Sequence, residues 1–376
     1  MTVVAMFLPL PIDRLYIALF FLIFAANGIY LFLTCFCRGA DRVSVMIEMS
    51  LLHTALTCLM NIFFLAVFRW GVVGYMVANF LGTYVSIIWG IIRLNVWKYF
   101  SFKKINKPLT KEIRKYCFPL IFNKIGWWIN DSIDKYVVTL FLGAFYNGIF
   151  SISYKIPTIL STVSGVFADA WAISAIKEFD PDDSDRFVIN MYDLYNTLLV
   201  IGCSGLIILN IPIATILYQG EFFIAWKYTG PLLLSVIFGA LSGFLGCICS
   251  AVKDTKIYSF STIVGGITNL IISIMLVKPM GVMGVAIGTL ISNVVIWLIR
   301  FMRVRKRIKL RVNIPRDFLM YGLLIAQFIF GIIGGFTLIT VLIQVGIFGL
   351  LLLVNAKRIK SVILLVINKL IKNKKA

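Results

Sequence analysis

The feature that most limits what this chain can become is a recurrence of apolar runs, each long enough to span a bilayer. A helix needs about 20 apolar residues to cross the hydrocarbon core. Eleven such runs follow one another, over 15–36, 45–68, 71–94, 114–141, 146–174, 188–213, 224–250, 256–277, 281–301, 317–335 and 337–355. Each run is read as one helical span. The expected fold class is all-α: a polytopic membrane protein with about eleven transmembrane helices. Composition agrees, because 60% of the 376 residues are hydrophobic and only 14% charged, where a soluble domain is about half apolar and about a quarter charged. A soluble enzyme, a disordered chain and a nucleic-acid-binding module are excluded as classes.

The net charge of +20 is not a nucleic-acid footprint, because the cations collect between apolar runs, as cytoplasmic loops require. Segments 93–115, 300–316 and 357–375, with Arg38, Arg42, Lys177, Arg186, Lys253 and Lys256, hold 29 of the 36 Lys and Arg on one side of a strictly alternating eleven-span chain. The opposite loops keep Arg14, Arg69 and Lys278. This predicts an amino terminus outside and a cytoplasmic carboxyl terminus. Residues 357–376 alternate Lys with Ile, Leu and Val, the pattern of a basic amphipathic helix lying in the interface. Met1 to Ile12 lacks a basic start and an Ala-x-Ala site, so no signal peptide is expected. One His and seven scattered Cys offer neither zinc-ligand spacing nor a disulfide framework, and no metal or cofactor is expected.

The chain repeats itself internally. Gly71-Val72-Val73-Gly74 matches Gly281-Val282-Met283-Gly284, Asn61 matches Asn269, and Cys35-Phe36-Cys37 matches Cys247-Ile248-Cys249, in the same order and at nearly constant shift. Spans one to three therefore correspond to spans seven to nine. Two parallel, pseudo-symmetric lobes follow, an arrangement found in transporters with the substrate between the halves. The second copy has three further spans ahead of its matched trio, and the first copy as given has none, so the amino-terminal lobe is expected to be incomplete by about three spans. The organisation expected is a partial lobe over 1–95, a basic linker over 96–113, a six-span lobe over 114–301, a basic loop with two extra spans over 302–356, and the basic tail 357–376.

Charges inside a bilayer cost about 2.5–3.5 kcal/mol each on insertion scales, so they usually face a cavity and mark function. The fourth span is the richest. Asn123, Trp127, Asn130 and Asp134 recur at helical spacing, and Lys124, Trp128, Asp131 and Lys135 recur one residue on, which predicts one wide polar and aromatic stripe. Lys124 would lie about 16 Å from the cytoplasmic end. The fifth span carries Lys155 beside Pro157, which should bend the helix, then Asp169 and Trp171. Asp131 and Lys135 are spaced to pair with each other. His53 is expected to be structural, and Glu48 and Asp193 to snorkel at the boundary. Lys124 and Lys155 suit an anion. Asp180-Pro181-Asp182-Asp183 reads as a solvated acidic turn.

Phe118-Pro119-Leu120, Trp127-Trp128-Ile129-Asn130-Asp131-Ser132-Ile133-Asp134-Lys135, Phe141-Leu142-Gly143, Asn147-Gly148-Ile149-Phe150-Ser151, Tyr154-Lys155-Ile156-Pro157 and Ala170-Trp171 resemble the polysaccharide (oligosaccharide repeat-unit) flippases. These export O-antigen, capsule and exopolysaccharide units, and they share a superfamily with the multidrug/toxin extrusion transporters. The resemblance covers about 116–178, with a weaker part over Pro231 to Arg300. It implies a non-enzymatic transporter of the bacterial inner membrane. The implied substrate is an oligosaccharide on undecaprenyl pyrophosphate, destined for lipopolysaccharide or capsule, with membrane lipids and polysaccharide polymerase machinery as neighbours.

On that reading Lys124 and Lys155 hold the pyrophosphate, Trp127 and Trp128 stack on sugar rings, and Asn123 and Asn130 bond hydroxyls. Asp131, Asp134 and Asp169, with Lys135, supply ion coupling or structural pairs. Three rivals remain. A multidrug cation antiporter would need a carboxylate-dominated cavity, and a membrane polymerase or ligase a large external catalytic loop. An inactive, shortened flippase is the third.

Overall fold

In the computed structural model the described residues are 14–98, 107–177, 187–251, 254–306, 313–356 and 358. Among them no strand occurs. The helices are α1 (Arg14–Gly39), α2 (Val43–Asn61), α3 (Gly71–Leu94), α4 (Lys107–Leu142), α5 (Ala144–Ser153), α6 (Lys155–Lys177), α7 (Phe187–Ile208), α8 (Asn210–Leu217), α9 (Thr229–Ala251), α10 (Thr255–Met280), α11 (Val282–Arg305), α12 (Ile314–Gly334) and α13 (Leu338–Val354). With α5–α6 and α7–α8 each counted as one broken rod, these reproduce the eleven expected spans. Eight are long and apolar enough to cross a membrane by themselves. The others are the charged α4 and α5–α6, and the 17-residue α13. The acidic turn 180–183, the tail beyond Arg358 and the segment 1–13 lie outside the described residues.

Two boundaries differ from the sequence reading. The linker expected over 96–113 gives way to helix at Lys107. Charged Lys107, Lys111, Arg114 and Lys115 hide that start from an apolar count, yet Lys and Arg are good helix formers. The resulting 36-residue rod is about 54 Å long, well beyond the hydrocarbon thickness of about 30 Å, and Lys124 stands about 25 Å from its first residue. In place of the bend expected at Pro157, the helix is interrupted at one residue, Tyr154, between α5 and α6, and the backbone there stays in the right-handed helical region. Proline has no N–H to return to the preceding turn.

The chain divides into two compact units, Met1–Lys107 and Pro108–Ala376. The first packs α1, α2 and α3 around Ala26, Leu33, Cys37, Met49 and Ile87. Glu48 is partly exposed and paired: Arg93 Nη2 lies 2.9 Å from its Oε1 and Trp89 Nε1 donates to Oε2 at 3.1 Å, closing α2 on α3. His53 Nε2 meets Thr83 Oγ1 at 3.2 Å, a structural contact between the same helices.

The second unit holds the larger core, in which Trp171 of α6 stacks on Phe244 of α9 at 4.0 Å and donates to the Phe244 carbonyl at 3.1 Å. Asp193 of α7 is buried rather than snorkelling, paired with Arg316 at 2.9 Å and with Arg358 at 2.6 Å. A buried carboxylate needs such partners, and here they fix α12 and the end of α13 to α7.

The sequence repeat has a backbone counterpart. Gly71 and Gly281 both adopt left-handed φ, +56° and +59°, a conformation that costs a residue with a Cβ. Each opens the second helix of a hairpin, α2–α3 in one unit and α10–α11 in the other.

Candidate functional site

The fourth-span stripe separates into two faces of α4. Asn123, Asn130 and Asp134 point inward and are buried, at 2%, 1% and 0% exposure. Lys124, Trp128 and Lys135 are exposed and Trp127 is half-buried. The rows are offset by one residue, about 100° around a helix, and that rotation decides which row meets the bundle.

The inward row bonds to α10 and α11. Thr262 Oγ1 donates to Asn123 Oδ1 at 2.5 Å. Asn269 Nδ2 donates to Asn130 Oδ1 at 3.1 Å and to Asp134 Oδ1 at 2.8 Å. Thr289 Oγ1 donates to Asp134 Oδ2 at 2.7 Å, and Tyr154 OH approaches the same oxygen at 3.4 Å. Close backbone approach makes this possible: a Cβ on Gly126 would stand 2.9 Å from Thr262 Cγ2. The hydroxyl-binding role expected for Asn123 and Asn130 is thus at odds with this arrangement, since both side-chain oxygens are engaged within the bundle. The repeat is asymmetric here. Asn269 joins three residues, whereas Oδ1 of its counterpart Asn61 is buried without a hydrogen-bond partner.

Arg300 was counted with the loop cations and belongs instead to α11, at 0% exposure. Its Nε donates to Ser261 Oγ at 2.8 Å, Nη1 to the Ser242 carbonyl at 2.8 Å and Nη2 to Thr262 Oγ1 at 2.8 Å. The guanidinium also lies 4.3 Å from the centre of the Tyr258 ring. Its position two residues from a basic loop concealed it, and no periodicity in the sequence singles it out.

Beside Asp134 the second unit holds a half-open cavity of 620 Å³, within the usual range of about 300–1,000 Å³ for ligand pockets. Its wall includes Ser151, Tyr154, Thr158, Ser161, Ser164 and Ser235, with Thr289, Asn293, Trp127 and Lys135. Most of these hydroxyls already give away their proton: Thr158 to the Tyr154 carbonyl at 2.7 Å, Ser161 to Thr158 at 2.9 Å, Ser164 to Ser161 at 2.8 Å and Ser235 to Leu232 at 2.7 Å. Each then presents its oxygen as an acceptor. Asn293 Oδ1 is buried without a hydrogen-bond partner. The wall therefore suits a ligand rich in donors, with the Lys135 ammonium as the cation. Of the expected substrate contacts, only Trp127 lies in this wall. Lys124, Trp128 and Lys155 are exposed elsewhere on the unit, and Asp169 is exposed on α6. The serines were not singled out in the sequence, where scattered hydroxyls in apolar helices carry no motif.

Comparison with known proteins places this geometry. A family model described as "Polysaccharide biosynthesis protein" matches residues 1–173. An uncharacterized membrane protein of Methanocaldococcus jannaschii is 24% identical over 217 residues, 55% of this chain and 49% of the relative. A probable low-salt glycan biosynthesis flippase of Haloferax volcanii is 21% identical over 214 residues, 56% of this chain and 44% of the relative. The chain thus matches about half the length of these curated relatives.

In fold, a multidrug/toxin extrusion transporter in its straight conformation superposes with a TM-score of 0.65 at 14% identity, over 78% of this chain and 68% of that one. The lipid II flippase MurJ, in an inward closed conformation, gives 0.59 at 17% identity, over 88% and 72%. The Haloferax volcanii relative and both solved structures are described as flippases or transporters. The chain is thus similar in sequence to polysaccharide biosynthesis proteins over 1–173, and similar in fold to a multidrug/toxin extrusion transporter and a lipid II flippase.

Proposed function

We propose that this protein flips oligosaccharide units, linked through pyrophosphate to undecaprenol, from the cytoplasmic to the outer leaflet of a bacterial plasma membrane for surface polysaccharide assembly. The observation that supports this most is the acceptor-lined cavity with Lys135 in its wall. A glycan is a dense array of hydroxyl donors, and such a wall offers them partners in place of water, where crossing hydrocarbon unaided would leave them unsatisfied. Trp127 adds an aromatic face for a sugar ring. Lys124 and Lys155, exposed on the same unit, are assigned to the pyrophosphate, and Trp128 to further stacking. An inside-negative potential of 100 mV favours outward transfer of each negative charge by about 2.3 kcal/mol. Among the acidic residues, Asp134 is the preferred coupling site: its carboxylate accepts from Thr289 and Tyr154, both in the cavity wall, so a change in its protonation or ion occupancy would be felt there. Asp131 and Asp169 are secondary candidates for that role.

An acceptor-rich wall also attracts organic cations, which favours a multidrug antiporter as the second reading. The Lys135 ammonium in the wall opposes it. Lys124→Ala, Lys135→Ala and Lys155→Ala, expressed in cells that depend on this protein for surface polysaccharide, separate the two. Loss of surface glycan at unchanged protein level in the membrane is the expected result. Full export by all three variants would overturn the anion-binding reading.

A further inference from the structure

A second cavity, of 520 Å³, lies at the far end of the α10–α11 hairpin from Gly281. Ile257 of α10 and Ile299, Met302, Arg303, Arg305 and Lys306 at the end of α11 line it. Arg303 spends its charge on Asp254, with Nη2 3.0 Å from Oδ2, and this ion pair holds the two helix ends together. Arg305 and Lys306 are exposed, and no carboxylate is among the lining residues. The groove therefore has an apolar floor and two cations at its rim.

The floor continues along α10. Phe260, Ile263, Ile267, Ile271 and Ile274 recur at three- and four-residue steps, which places them on one stripe, and they are 57%, 44%, 54%, 53% and 42% exposed. A ligand that fits both parts carries an anion at one end and hydrocarbon along its length. A free phosphate would leave the floor unused. A zwitterionic lipid would bring a quaternary amine to two cations with no carboxylate to receive it. A glycan headgroup would meet none of the hydroxyl acceptors that line the first cavity. Basic pockets between transmembrane helices are the kind of place where anionic headgroups settle.

We propose that this groove is a binding site for an anionic phospholipid of the surrounding bilayer, its phosphodiester held between Arg305 and Lys306 and an acyl chain laid over Ile299, Met302 and the α10 stripe. The site is separate from the flipping pathway and does not depend on the reading of the first cavity.

Native mass spectrometry of the full chain, with phosphatidylglycerol and phosphatidylcholine of identical acyl chains, tests it. Phosphatidylglycerol is expected to be retained preferentially. The Arg305→Gln/Lys306→Gln double variant should lose that preference by about 30-fold, from about 1 kcal/mol for each cation near an anionic headgroup. Lys278→Gln, at the opposite end of α10, should leave it unchanged. The thermal midpoint of the double variant reports folding, and both substituted residues are exposed. Equal retention of the two lipids by the unaltered chain would overturn the proposal, as would unchanged retention in the double variant or equal loss in Lys278→Gln. Displacement of phosphatidylglycerol by inorganic phosphate would identify a bare anion site instead. Displacement by undecaprenyl pyrophosphate at lower concentration than by phosphatidylglycerol itself would identify a substrate site. Either result would also overturn it.

Discussion

At the scale of single residues, buried polar groups decide how this bundle is held. Arg300 is a full charge inside a helix packing interface, and it survives there because five donors in a rigid fork find neutral oxygens on α9 and α10. Removing it leaves the Ser261 and Thr262 hydroxyls and the Ser242 carbonyl short of a partner. Arg300→Ala is therefore expected to lower stability by about 3 kcal/mol, and Arg300→Lys by less, since an ammonium keeps the charge but not the fork. Thermal unfolding of the detergent-solubilised chain measures both, and an Arg300→Ala midpoint equal to that of the parent would refute the assignment. Asp134 behaves differently. Asn can still accept from Thr289, so Asp134→Asn should cost about 1 kcal/mol, while Asp134→Ala, which removes one acceptor each from the Asn269 amide and the Thr289 hydroxyl, should cost about 2. If Asp134 carries the coupling ion, Asp134→Asn abolishes export while keeping the folded chain. Export at the parent rate by a folded Asp134→Asn variant would remove that role.

At the scale of elements, helices pack closely where glycine lets them. A Cβ on Gly288 of α11 would collide with the Ser273 hydroxyl of α10, while one on Gly243 of α9, at the cavity wall, would meet nothing within 4 Å. Gly288→Val should cost about 1–3 kcal/mol through overpacking, and Gly243→Ala should leave unfolding unchanged. Equal effects in a melting series would contradict the packing described. This scale also shows what could be read beforehand. Helix number and order were legible because a bilayer permits few alternatives to twenty apolar residues in a row, and Pro157 announced the interruption at Tyr154. The start of α4 was not legible, since its first turns are charged. The two faces of α4 were also merged into one stripe. Periodicity says that Asn123, Asn130 and Asp134 share a face, but not whether that face meets a cavity or a neighbouring helix. The partners, Asn269, Thr262 and Thr289, lie more than a hundred residues away.

At the scale of the whole molecule, topology rests on the asymmetry of the loop cations, and the structure refines which of them count. Arg300 is buried in the bundle and Arg93 is committed to Glu48, so neither is a free loop charge of the kind that sets orientation. Arg303, paired with Asp254, is discounted likewise, and the remainder of segments 93–115 and 300–316 still outweighs Arg69 and Lys278, because Lys98, Lys103, Lys104, Arg305, Lys306 and Arg307 are expected on the same side. With eleven crossings, Arg14 and Arg358 are expected on opposite faces. The prediction is made on loops, not on ends. Single cysteines at Asn95 and Arg307, in a chain whose own exposed cysteines Cys35, Cys58 and Cys117 have been replaced by serine, should react with an impermeant maleimide only after the membrane is opened from the cytoplasmic side. Cysteines at Lys278 and Phe336 should react in intact cells. A label pattern of the opposite sense would reverse the orientation, and with it the side on which Arg305 and Lys306 meet lipid. Labelling of Asn95 and Lys278 on one face would break the alternation itself, since five crossings separate them, and would send the eleven-span count back to α5–α6 and α7–α8, the two rods interrupted along their length.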